Sequence, residues 1–418
     1  MSEAHQTLAA EARTHRGLAA LLAALATVSP FSIDTFFPSF PAIESQFGLT
    51  AWQMQQTLST YLVPFAIMSL VLGPLSDALG RRPVVLVGLI VYSAASVGCA
   101  LAPGFAWLLA FRAVQGMSAG VGLAIGRAIV RDVHEGPAAQ RLMSAVTMIF
   151  GIAPAIAPVI GGWIHVLLGW RSVFGFMVCI GAALIVVSYL HLPETHPEER
   201  RSPLHPGTLA RTAWRIASDH EFLVLALAAG VTICTMMTYL AAAPVIVLSL
   251  WHLRETQFAW LFVPIIAGFM LGAWLSGRLA GRIAGARQIG LGYAISIGSG
   301  ALVLVLHLTV QPLPIVVQEV LIGIDAIGVQ LIMPVLVLRM LDLFPASRGS
   351  AASVQSCTML LIAALQIGII VPMLAGALWH FAAGSLACTL LGCALWCIAP
   401  QPGAVAGSMR AARQPPNL

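Results

Sequence analysis

Lysine is absent from this chain of 418 residues, and all 21 of its basic residues are arginine. Charged side chains of every kind make up only 9% of the sequence, whereas soluble domains carry about 25%. Hydrophobic residues reach 59%. These proportions exclude a soluble globular protein and indicate a polytopic membrane protein. The formal net charge of +5 therefore does not indicate nucleic-acid binding, and its meaning depends on where the arginines lie.

The sequence lacks the residues or spacings that several kinds of functional site require. A phosphate-binding loop of the Gly-x-x-x-x-Gly-Lys kind needs a lysine, which argues against ATP-driven transport by this chain alone. The histidines have no metal-ligand spacing, and the 7 cysteines lie in hydrophobic stretches rather than in outer loops. We therefore expect no cofactor, no metal site and no catalytic residues. A membrane-embedded enzyme, a channel or a sensor fits poorly, because no long soluble segment or filter-like repeat is present.

Twelve hydrophobic stretches are long enough to cross a bilayer as helices. They cover residues 18–40, 54–75, 83–103, 106–129, 142–167, 171–192, 221–243, 257–279, 287–308, 313–338, 350–375 and 378–399. The one long polar segment divides them six against six. The sequence thus predicts an all-α integral membrane protein of two six-helix bundles. The predicted parts are a tail 1–17, a first bundle 18–192, a linker 193–220, a second bundle 221–399 and a tail 400–418.

The arginines favour one orientation of these spans. If the N-terminus is cytoplasmic, most arginines fall in inner loops and tails, and the outer loops hold only Arg171 and Arg254. This distribution follows the positive-inside rule, and the inverted topology would reverse it. We therefore predict a multi-pass protein of a bacterial inner membrane with both termini in the cytoplasm, and we expect it to be a monomer.

An acid in the first span is the first candidate for a functional residue. Asp34 lies in a stretch with two prolines, Pro38 and Pro41. A carboxylate in hydrocarbon costs about 2.5–3.5 kcal/mol on insertion scales, so such acids usually face the interior of the bundle and serve transport. We interpret Asp34 as a proton-carrying acid. The alternative is a helix-end acid held near the outer interface by snorkelling.

An arginine in span 4 is equally hard to explain as packing. Arg112 opens the stretch Arg112–Gly120, which also contains Gln115. Counting from the midpoints of their spans, Arg112 and Asp34 both lie about 7–8 Å toward the outside, at 1.5 Å per residue. A charge pair between them, or a relay through water, is a hypothesis that this depth allows.

Span 10 carries two further acids. Asp325 falls close to the midpoint of the span and could bind a proton, a cation or a polar substrate. The alternative is a neutral acid hydrogen-bonded to Gln330 or Gln355. Glu319 lies nearer the outer surface, and we expect it to be solvated.

Residues for a substrate cavity should lie between the two bundles near the midplane. Aromatic and methionine side chains suit varied amphipathic compounds because they adapt their packing. Helix packing is the alternative role at each of these positions. The candidates are Tyr61, Phe65, Gln115, Met236, Met237 and Tyr239.

Two more stretches have family-specific patterns. The turn between spans 2 and 3 has its glycines, acid and arginines at Gly73, Asp77, Gly80, Arg81 and Arg82. Span 5 contains Gly151, Pro154, Pro158, Gly161 and Gly162, in which small residues allow close helix approach and prolines bend or stiffen the helix.

Together, the stretches in spans 1, 4 and 5 and the turn after span 2 resemble the Bcr/CflA group of drug-resistance exporters. These are twelve-span drug:proton antiporters of the major facilitator superfamily. The resemblance covers nearly the whole chain and is strongest across residues 30–170. It implies a gating role for the turn after span 2 and an antiporter motif in span 5, where Ala157 replaces a glycine that the family usually has.

The resemblance implies proton-driven efflux of small hydrophobic antibiotics or toxic compounds by alternating access. Its expected partners are a small-molecule substrate, protons and the lipid bilayer. The alternative is proton-coupled export of a metabolite such as an amino acid, a nucleoside or a siderophore. An importer or symporter is less compatible with the antiporter-like pattern in span 5.

Overall fold

The computed structural model describes residues 2–400 except residues 135, 202, 203 and 311. Its described part is helical throughout and contains no strand. The predicted tail 400–418 lies, apart from its first residue, outside the described residues. The expectation of an all-helical protein is confirmed.

The twelve predicted membrane spans are confirmed. They run over Gly17–Phe47, Ala51–Leu79, Arg81–Ala100, Phe105–Val133, Leu142–Leu168, Trp170–His191, His220–Ala241, Ala259–Leu279, Gly285–Thr309, Ile315–Asp342, Pro345–Met373 and Leu378–Ile398. They are numbered 1 to 12 in this order below.

Three spans are not single regular helices. Span 1 belongs to a helix, Ser2–Asp34, that ends at the predicted acid and is followed by a 3₁₀ turn and a short helix, Phe40–Phe47. Span 4 consists of Phe105–Ala119 and Val121–Val133, which meet at Gly120. Span 11 combines the helix Arg348–Leu365 with a π-helical turn, Gln366–Ile370, and a short helix, Val371–Met373.

Shorter elements connect the spans. A helix, Pro206–Ala217, lies in the segment between spans 6 and 7, and the helix of span 5 begins before the span, at Gly136. A π-helical stretch, Val245–Leu250, follows span 7. Such π-helical turns interrupt regular helices and often mark functional sites.

The packing of the first six spans is repeated by the last six. Span 1 packs against spans 4, 5 and 6, span 2 against span 4, and span 3 against spans 4 and 6. The same pairs recur after adding six to each number: span 7 with spans 10, 11 and 12, span 8 with span 10, and span 9 with spans 10 and 12. The protein is therefore two six-helix bundles with parallel repeats. Spans 2 and 11 pack together between the bundles, as do spans 5 and 8.

Glycines determine how closely several of these spans cross. A Cβ atom on Gly116 of span 4 would lie 2.0 Å from the backbone oxygen of Tyr61 in span 2. A Cβ on Gly268 of span 8 would lie 2.2 Å from the oxygen of Gly323 in span 10. Only a glycine allows backbones to approach this closely. Both crossings thus depend on a glycine, which belongs to span 4 in the first bundle and to span 8 in the second.

The turns between the spans define two sides of the structure, called the linker side and the far side. The linker side holds the turn at Gly80 and the segment between spans 6 and 7, and the far side holds the turns at Gly48 and Gly169. Three hydrogen bonds between spans of the two bundles lie in the far half. Gln55 donates to the oxygen of Ala241 at 2.9 Å, and Ser59 donates to that of Ala364 at 3.0 Å. The bundles are therefore joined on the far side.

Candidate functional site

A buried arginine organises the polar interior of the first bundle. The side chain of Arg112 has 0% exposure. Its Nη1 donates to the backbone oxygen of Ser32 at 3.0 Å and to Oε1 of Gln115 at 2.7 Å. Its Nε lies 3.4 Å from the oxygen of Thr57. These acceptors come from spans 1, 2 and 4, so one guanidinium connects three helices.

Aromatic rings surround the rest of this guanidinium. Its carbon lies 4.4 Å from the ring centroid of Tyr61 and 5.2 Å from that of Phe36. Cation–π contacts of this kind stabilise a charge that has been removed from water. Nη2 of Arg112 has no hydrogen-bond partner among the described residues, so its two N–H groups are available to another group.

The network extends from Gln115 toward spans 3 and 6. Nε2 of Gln115 donates to Oγ of Ser96 at 2.7 Å and lies 3.6 Å from the sulfur of Met177. A second link joins spans 1 and 3, because the hydroxyls of Ser32 and Tyr92 are 2.6 Å apart. Polar groups of the first bundle thus form a connected set in its interior.

Asp34 lies beside this network without joining it by a hydrogen bond. It is the last residue of the first helix and is 7% exposed. Among the described residues it has no hydrogen-bond or ion-pair partner. Tyr61 is close enough to interact electrostatically with both Asp34 and Arg112. Asp34 and Arg112 thus both lie near the phenol of Tyr61, but the structure does not bring them into an ion pair.

The turn after span 2 has the geometry that its glycines require. Gly80 adopts a positive φ of 97°, and a Cβ there would lie 2.6 Å from a carboxylate oxygen of Glu194. Gly73 has no neighbour within 4 Å of the position of a Cβ. Gly80 therefore has both a conformational and a packing reason for being glycine.

Arg81 holds the turn against span 4. Its Nη1 lies 2.5 Å from Oδ1 of Asp77, and its Nε lies 2.9 Å from Oδ2 of Asp132. Nη1 also donates to the hydroxyl of Ser76 at 2.6 Å. Arg82 instead reaches span 6, where its Nη2 donates to the backbone oxygen of Tyr189 at 2.6 Å. All of these partners belong to the first bundle, so the turn does not contact the second bundle through them.

The segment after span 6 is bound to the same turn. The carboxylate of Glu194 accepts hydrogen bonds from the backbone nitrogens of Arg81 at 2.9 Å and Arg82 at 3.2 Å. Thr195 donates to Oδ2 of Asp132 at 3.1 Å. An acid at this position satisfies free N–H groups at the start of the helix of span 3 and complements its dipole.

The glycines of span 5 make two close contacts. A Cβ on Gly161 would lie 2.0 Å from the oxygen of Thr35 in span 1, and one on Gly162 would lie 2.1 Å from the oxygen of Glu255 in the second bundle. Gly151 has no such neighbour within 4 Å. Pro154 and Pro158 lie inside the continuous helix Gly136–Leu168.

Asp325 lies in the interior of the second bundle and is 3% exposed. Its carboxylate accepts a hydrogen bond from the hydroxyl of Ser296 in span 9. Ser385 of span 12 lies beside both Asp325 and Tyr239. The partners are thus serines, and not the glutamines that the sequence suggested.

The expectation that Glu319 is solvated is wrong. Its residue exposure is 2%, and both carboxylate oxygens lack a hydrogen-bond partner among the described residues. Counting along the span placed it near the surface, but the helix directs it into the bundle, where it comes within electrostatic range of Tyr239 in span 7.

Five of the predicted cavity residues are buried, at 9% exposure or less, whereas Met237 is partly buried, and the six do not form one group. Tyr61 and Phe65 pack edge to face with their ring centroids 6.2 Å apart, and Gln115 belongs to the Arg112 network. Tyr239 lies near the acids of span 10, and Met236 of the same helix is 0% exposed. A separate apolar cavity of about 260 Å³ lies between spans 2, 3 and 4, and none of these residues lines it.

Sequence reasoning missed the residues that act as partners. Ser32, Ser96 and Ser296 are single hydroxyls in long apolar stretches and have no motif of their own. Glu194 had a weak signal, because it is an acid directly after the end of span 6, next to a turn rich in arginine.

A sequence model of the Major Facilitator Superfamily matches residues 22–366, which is most of the chain. The chain belongs to the major facilitator superfamily. Members of this superfamily are transporters, so the protein is a multi-pass membrane transporter and not an enzyme.

Curated relatives within the superfamily agree with this assignment. The chain is 32% identical over 316 residues to the Uncharacterized MFS-type transporter YdgK of Bacillus subtilis (strain 168), covering 75% of this chain and 79% of that one. It is 26% identical over 279 residues to the Bicyclomycin resistance protein homolog of Haemophilus influenzae, covering 67% and 70%. The resemblance to drug-resistance transporters of the superfamily is thereby confirmed.

A solved structure supports the major facilitator fold. The crystal structure of the human organic anion transporter MFSD10 (TETRAN) matches with a TM-score of 0.66 and 18% sequence identity, covering 91% of this chain and 99% of that one. At this identity the likeness concerns the fold alone.

Proposed function

We propose that this transporter exports small hydrophobic antibiotics or similar toxic compounds across the bacterial inner membrane in exchange for protons. The observation that carries the proposal is Asp34, an acid at membrane depth that is 7% exposed and has no described hydrogen-bond or ion-pair partner. Such an acid can be neutral or charged according to its surroundings, because no fixed cation holds it in one state. Similarity to the Bicyclomycin resistance protein homolog supports an antibiotic as the exported compound.

Arg112 would position the groups around Asp34. Its guanidinium fixes the backbones of spans 1 and 2 through the oxygens of Ser32 and Thr57, and the N–H groups of its Nη2 are unpaired among the described residues. A change in the angle between these spans would alter how closely Asp34 approaches that donor. Proton binding and helix movement would then be linked.

The contacts between the bundles support alternating access. With the linker side in the cytoplasm, as the arginine distribution favours, the bundles are joined on the outer side and the state is inward-facing. Asp77 is paired with Arg81 inside the first bundle and would be released to meet the second bundle when the inner side closes. Gly161 and Gly162 would allow span 5 to remain packed during that movement.

The test is proton release from energised everted membrane vesicles after addition of antibiotics, beginning with chloramphenicol-like and bicyclomycin-like compounds. We expect a drug-triggered change in pH with the native protein. The response should disappear in Asp34→Asn, which keeps the shape of the side chain and removes its ability to titrate. Glu44→Gln is the matched control, because Glu44 is a half-buried acid in the short helix at the far end of the same span.

Three outcomes would change the proposal. A response that persists in Asp34→Asn would move the coupling acid elsewhere, with Asp325 the next candidate. A response lost equally in Glu44→Gln would show that the assay reports damage to span 1 and not proton coupling. No response to any compound, with the protein present in the membrane, would contradict drug export and favour export of a metabolite.

A further inference from the structure

Span 10 carries three buried polar side chains within two helical turns. Gln318, Glu319 and Asp325 are 1%, 2% and 3% exposed. Both amide atoms of Gln318 and both carboxylate oxygens of Glu319 lack hydrogen-bond partners among the described residues. Buried polar groups are normally paired, and a carboxyl with neither oxygen paired is expensive unless it is used.

The repeat of the fold gives Glu319 a counterpart. Gly116 marks the crossing of span 4 with span 2, and Gly323 marks that of span 10 with span 8. Arg112 lies four residues before Gly116, and Glu319 lies four residues before Gly323. When these two glycines are taken as counterparts, the two bundles hold ionisable groups of opposite sign at corresponding positions.

The same alignment of the two glycines relates Asp325 to Ser118. Each lies two residues after its glycine and is followed by an alanine. Where the first bundle has an arginine and a serine, the second has two acids. The sequence similarity between these stretches is too low to notice without the crossing glycines.

Arg112 and Glu319 differ in their hydrogen bonds and in the charged groups around them. Arg112 is bonded to three acceptors, whereas Glu319 has no bond of its own. Among the described residues, the buried charged or ionisable acid and base side chains of the second bundle are Glu319, Asp325 and His307. No buried arginine is present there to balance the two acids. Two carboxylates in such a place cannot both stay ionised without a cation, and a proton is the smallest one.

Tyr239 connects the two acids. It is 2% exposed and lies within electrostatic range of both Glu319 and Asp325. Ser385, whose hydroxyl donates to the oxygen of Thr235 at 3.2 Å, lies beside Tyr239 and Asp325. Hydroxyl groups of this kind can accept a proton and donate another without a net change.

The other titratable side chains on the packed spans are few. Span 8 has none between Trp260 and Ser276. Spans 7, 9, 11 and 12 contribute His220, Glu221, Cys234, Tyr239, Arg287, Tyr293, His307, Arg348, Cys357, His380, Cys388, Cys393 and Cys397. Tyr239 is the one among them that lies near both acids.

We propose that Glu319 and Asp325 form a second proton-binding site, located inside the C-terminal bundle and entered from the far side at Glu319. Glu319 lies six residues before Asp325, which places it about 9 Å nearer the far side. A proton from water on that side would protonate the Glu319 carboxylate. Glu319 would pass the proton to the oxygen of Tyr239 once a movement brings the two within hydrogen-bond distance, and Tyr239 would give its own proton to Ser385. Ser385 lies beside Asp325 and would give its own proton to that carboxylate, which would release a proton toward the linker side.

The ligand of this site is a proton and not the exported compound. Asp325 faces Ser296 of span 9 and Ser385 of span 12, which pack in the interior of their own bundle rather than against the other bundle. The acids are at most 3% exposed. A proton can reach such a place along hydroxyl groups, whereas an organic molecule needs an open cavity.

The inference rests on the proposed function, and its test separates the two. The measured quantity is the number of protons released per drug molecule moved in everted vesicles, with radiolabelled chloramphenicol as the first probe. In Glu319→Gln we expect this ratio to fall about twofold, because one of two proton sites is lost. Exchange of labelled for unlabelled drug across the membrane without a gradient should continue, since exchange needs no net proton movement.

Control variants distinguish titration from packing. Glu319→Asp keeps a carboxyl and should restore the ratio, and Gln318→Leu removes a neighbouring polar group that does not titrate and should leave it unchanged. If Glu319→Gln does not accumulate in the membrane, Tyr239→Phe tests the same path, because it removes the hydroxyl and keeps the ring. For Tyr239→Phe we again expect a lower ratio with exchange retained.

An unchanged ratio in Glu319→Gln or Tyr239→Phe would overturn the second proton site. A ratio lowered equally in Gln318→Leu would do so as well, because it would show a structural effect of the region. Replacement of protons by sodium in the coupled flux would assign the acids to an alkali cation and would also overturn the inference. Absence of any drug-triggered proton release in the native protein would contradict the proposed function itself.

Discussion

At the scale of single residues, the first bundle depends on one fully buried guanidinium. Arg112 offers several N–H groups in a rigid plane, and three of its contacts go to different oxygens in spans 1, 2 and 4. A lysine has the same charge but presents it as a compact ammonium on a flexible stem. The geometry of the network therefore depends on arginine and not only on a positive charge.

Arg112→Lys should destabilise the protein although it keeps the charge. At least one of the acceptors Gln115 Oε1, Ser32 O and Thr57 O would lose its donor, which costs about 1–3 kcal/mol for a buried polar group. The unfolding midpoint in detergent, followed by size-exclusion chromatography after heating, should fall clearly. Arg254→Lys, in an exposed loop, is the control and should leave the midpoint unchanged. Equal midpoints for both variants would contradict this role of the guanidinium.

Charged residues in the spans could be recognised from the sequence, whereas their partners could not. Asp34, Arg112 and Asp325 stand out because charge at membrane depth is costly, and this rule requires only the limits of the spans. The serines that bond to Gln115 and Asp325 come from other spans, so finding them requires the packing. Glu319 was misjudged because distance along a helix does not tell which way a side chain points.

At the scale of helices, the turn after span 2 is stabilised from outside by the segment that follows span 6. The helix of span 3 has glycine at its N-cap position, so no N-cap side chain bonds to its first backbone N–H groups. The carboxylate of Glu194 accepts from those groups instead. The turn was predictable as a motif. Its attachment to the segment after span 6 was not, because the two are more than a hundred residues apart.

Glu194→Ala should weaken this attachment. The backbone nitrogens of Arg81 and Arg82 would lose their acceptor, and losses of this kind at helix N-termini cost about 1 kcal/mol. Glu194→Gln should cost less, because it keeps an acceptor oxygen and loses only the charge. Thermal unfolding in detergent measures both variants. Glu198→Ala is the control, since Glu198 forms an exposed pair with Arg201 and such pairs contribute little. A destabilisation by Glu198→Ala as large as that by Glu194→Ala would contradict the assignment.

At the scale of the whole molecule, the repeat of two bundles was predictable from twelve hydrophobic stretches divided by one polar segment. The main pairing of spans follows that repeat, since the contacts of spans 1 to 3 with spans 4 to 6 recur between spans 7 to 9 and spans 10 to 12. The sequence did not reveal which side of the protein is closed. That depends on contacts between spans 2 and 11 and between spans 5 and 8, which lack motifs of their own.

A disulfide across the far side should lock the bundles together. A Cβ at position 368 would lie 3.3 Å from the Cβ of Ser59, close to the separation of about 3.5–4.5 Å that disulfides adopt. Ser59→Cys combined with Gly368→Cys should therefore cross-link spontaneously in a background without the native cysteines. With a protease site inserted between spans 6 and 7, the halves should stay together on a non-reducing gel and separate after reduction. Single cysteine variants should separate in both conditions, and failure of the double variant to cross-link would contradict a closed far side.

The ionisable groups of opposite sign at corresponding positions of the two bundles have an electrical consequence. In the first bundle Arg112 keeps its positive charge, whereas Glu319 and Asp325 in the second have no buried arginine beside them and are negative when they lose their protons. Moving one elementary charge across the full membrane potential corresponds to about 2.3 kcal/mol per 100 mV. A voltage across the membrane would therefore act on the two bundles in opposite directions whenever Asp34 is protonated and the acids of the second bundle are ionised. The two halves of a structurally repeated protein would then respond unequally to the same field.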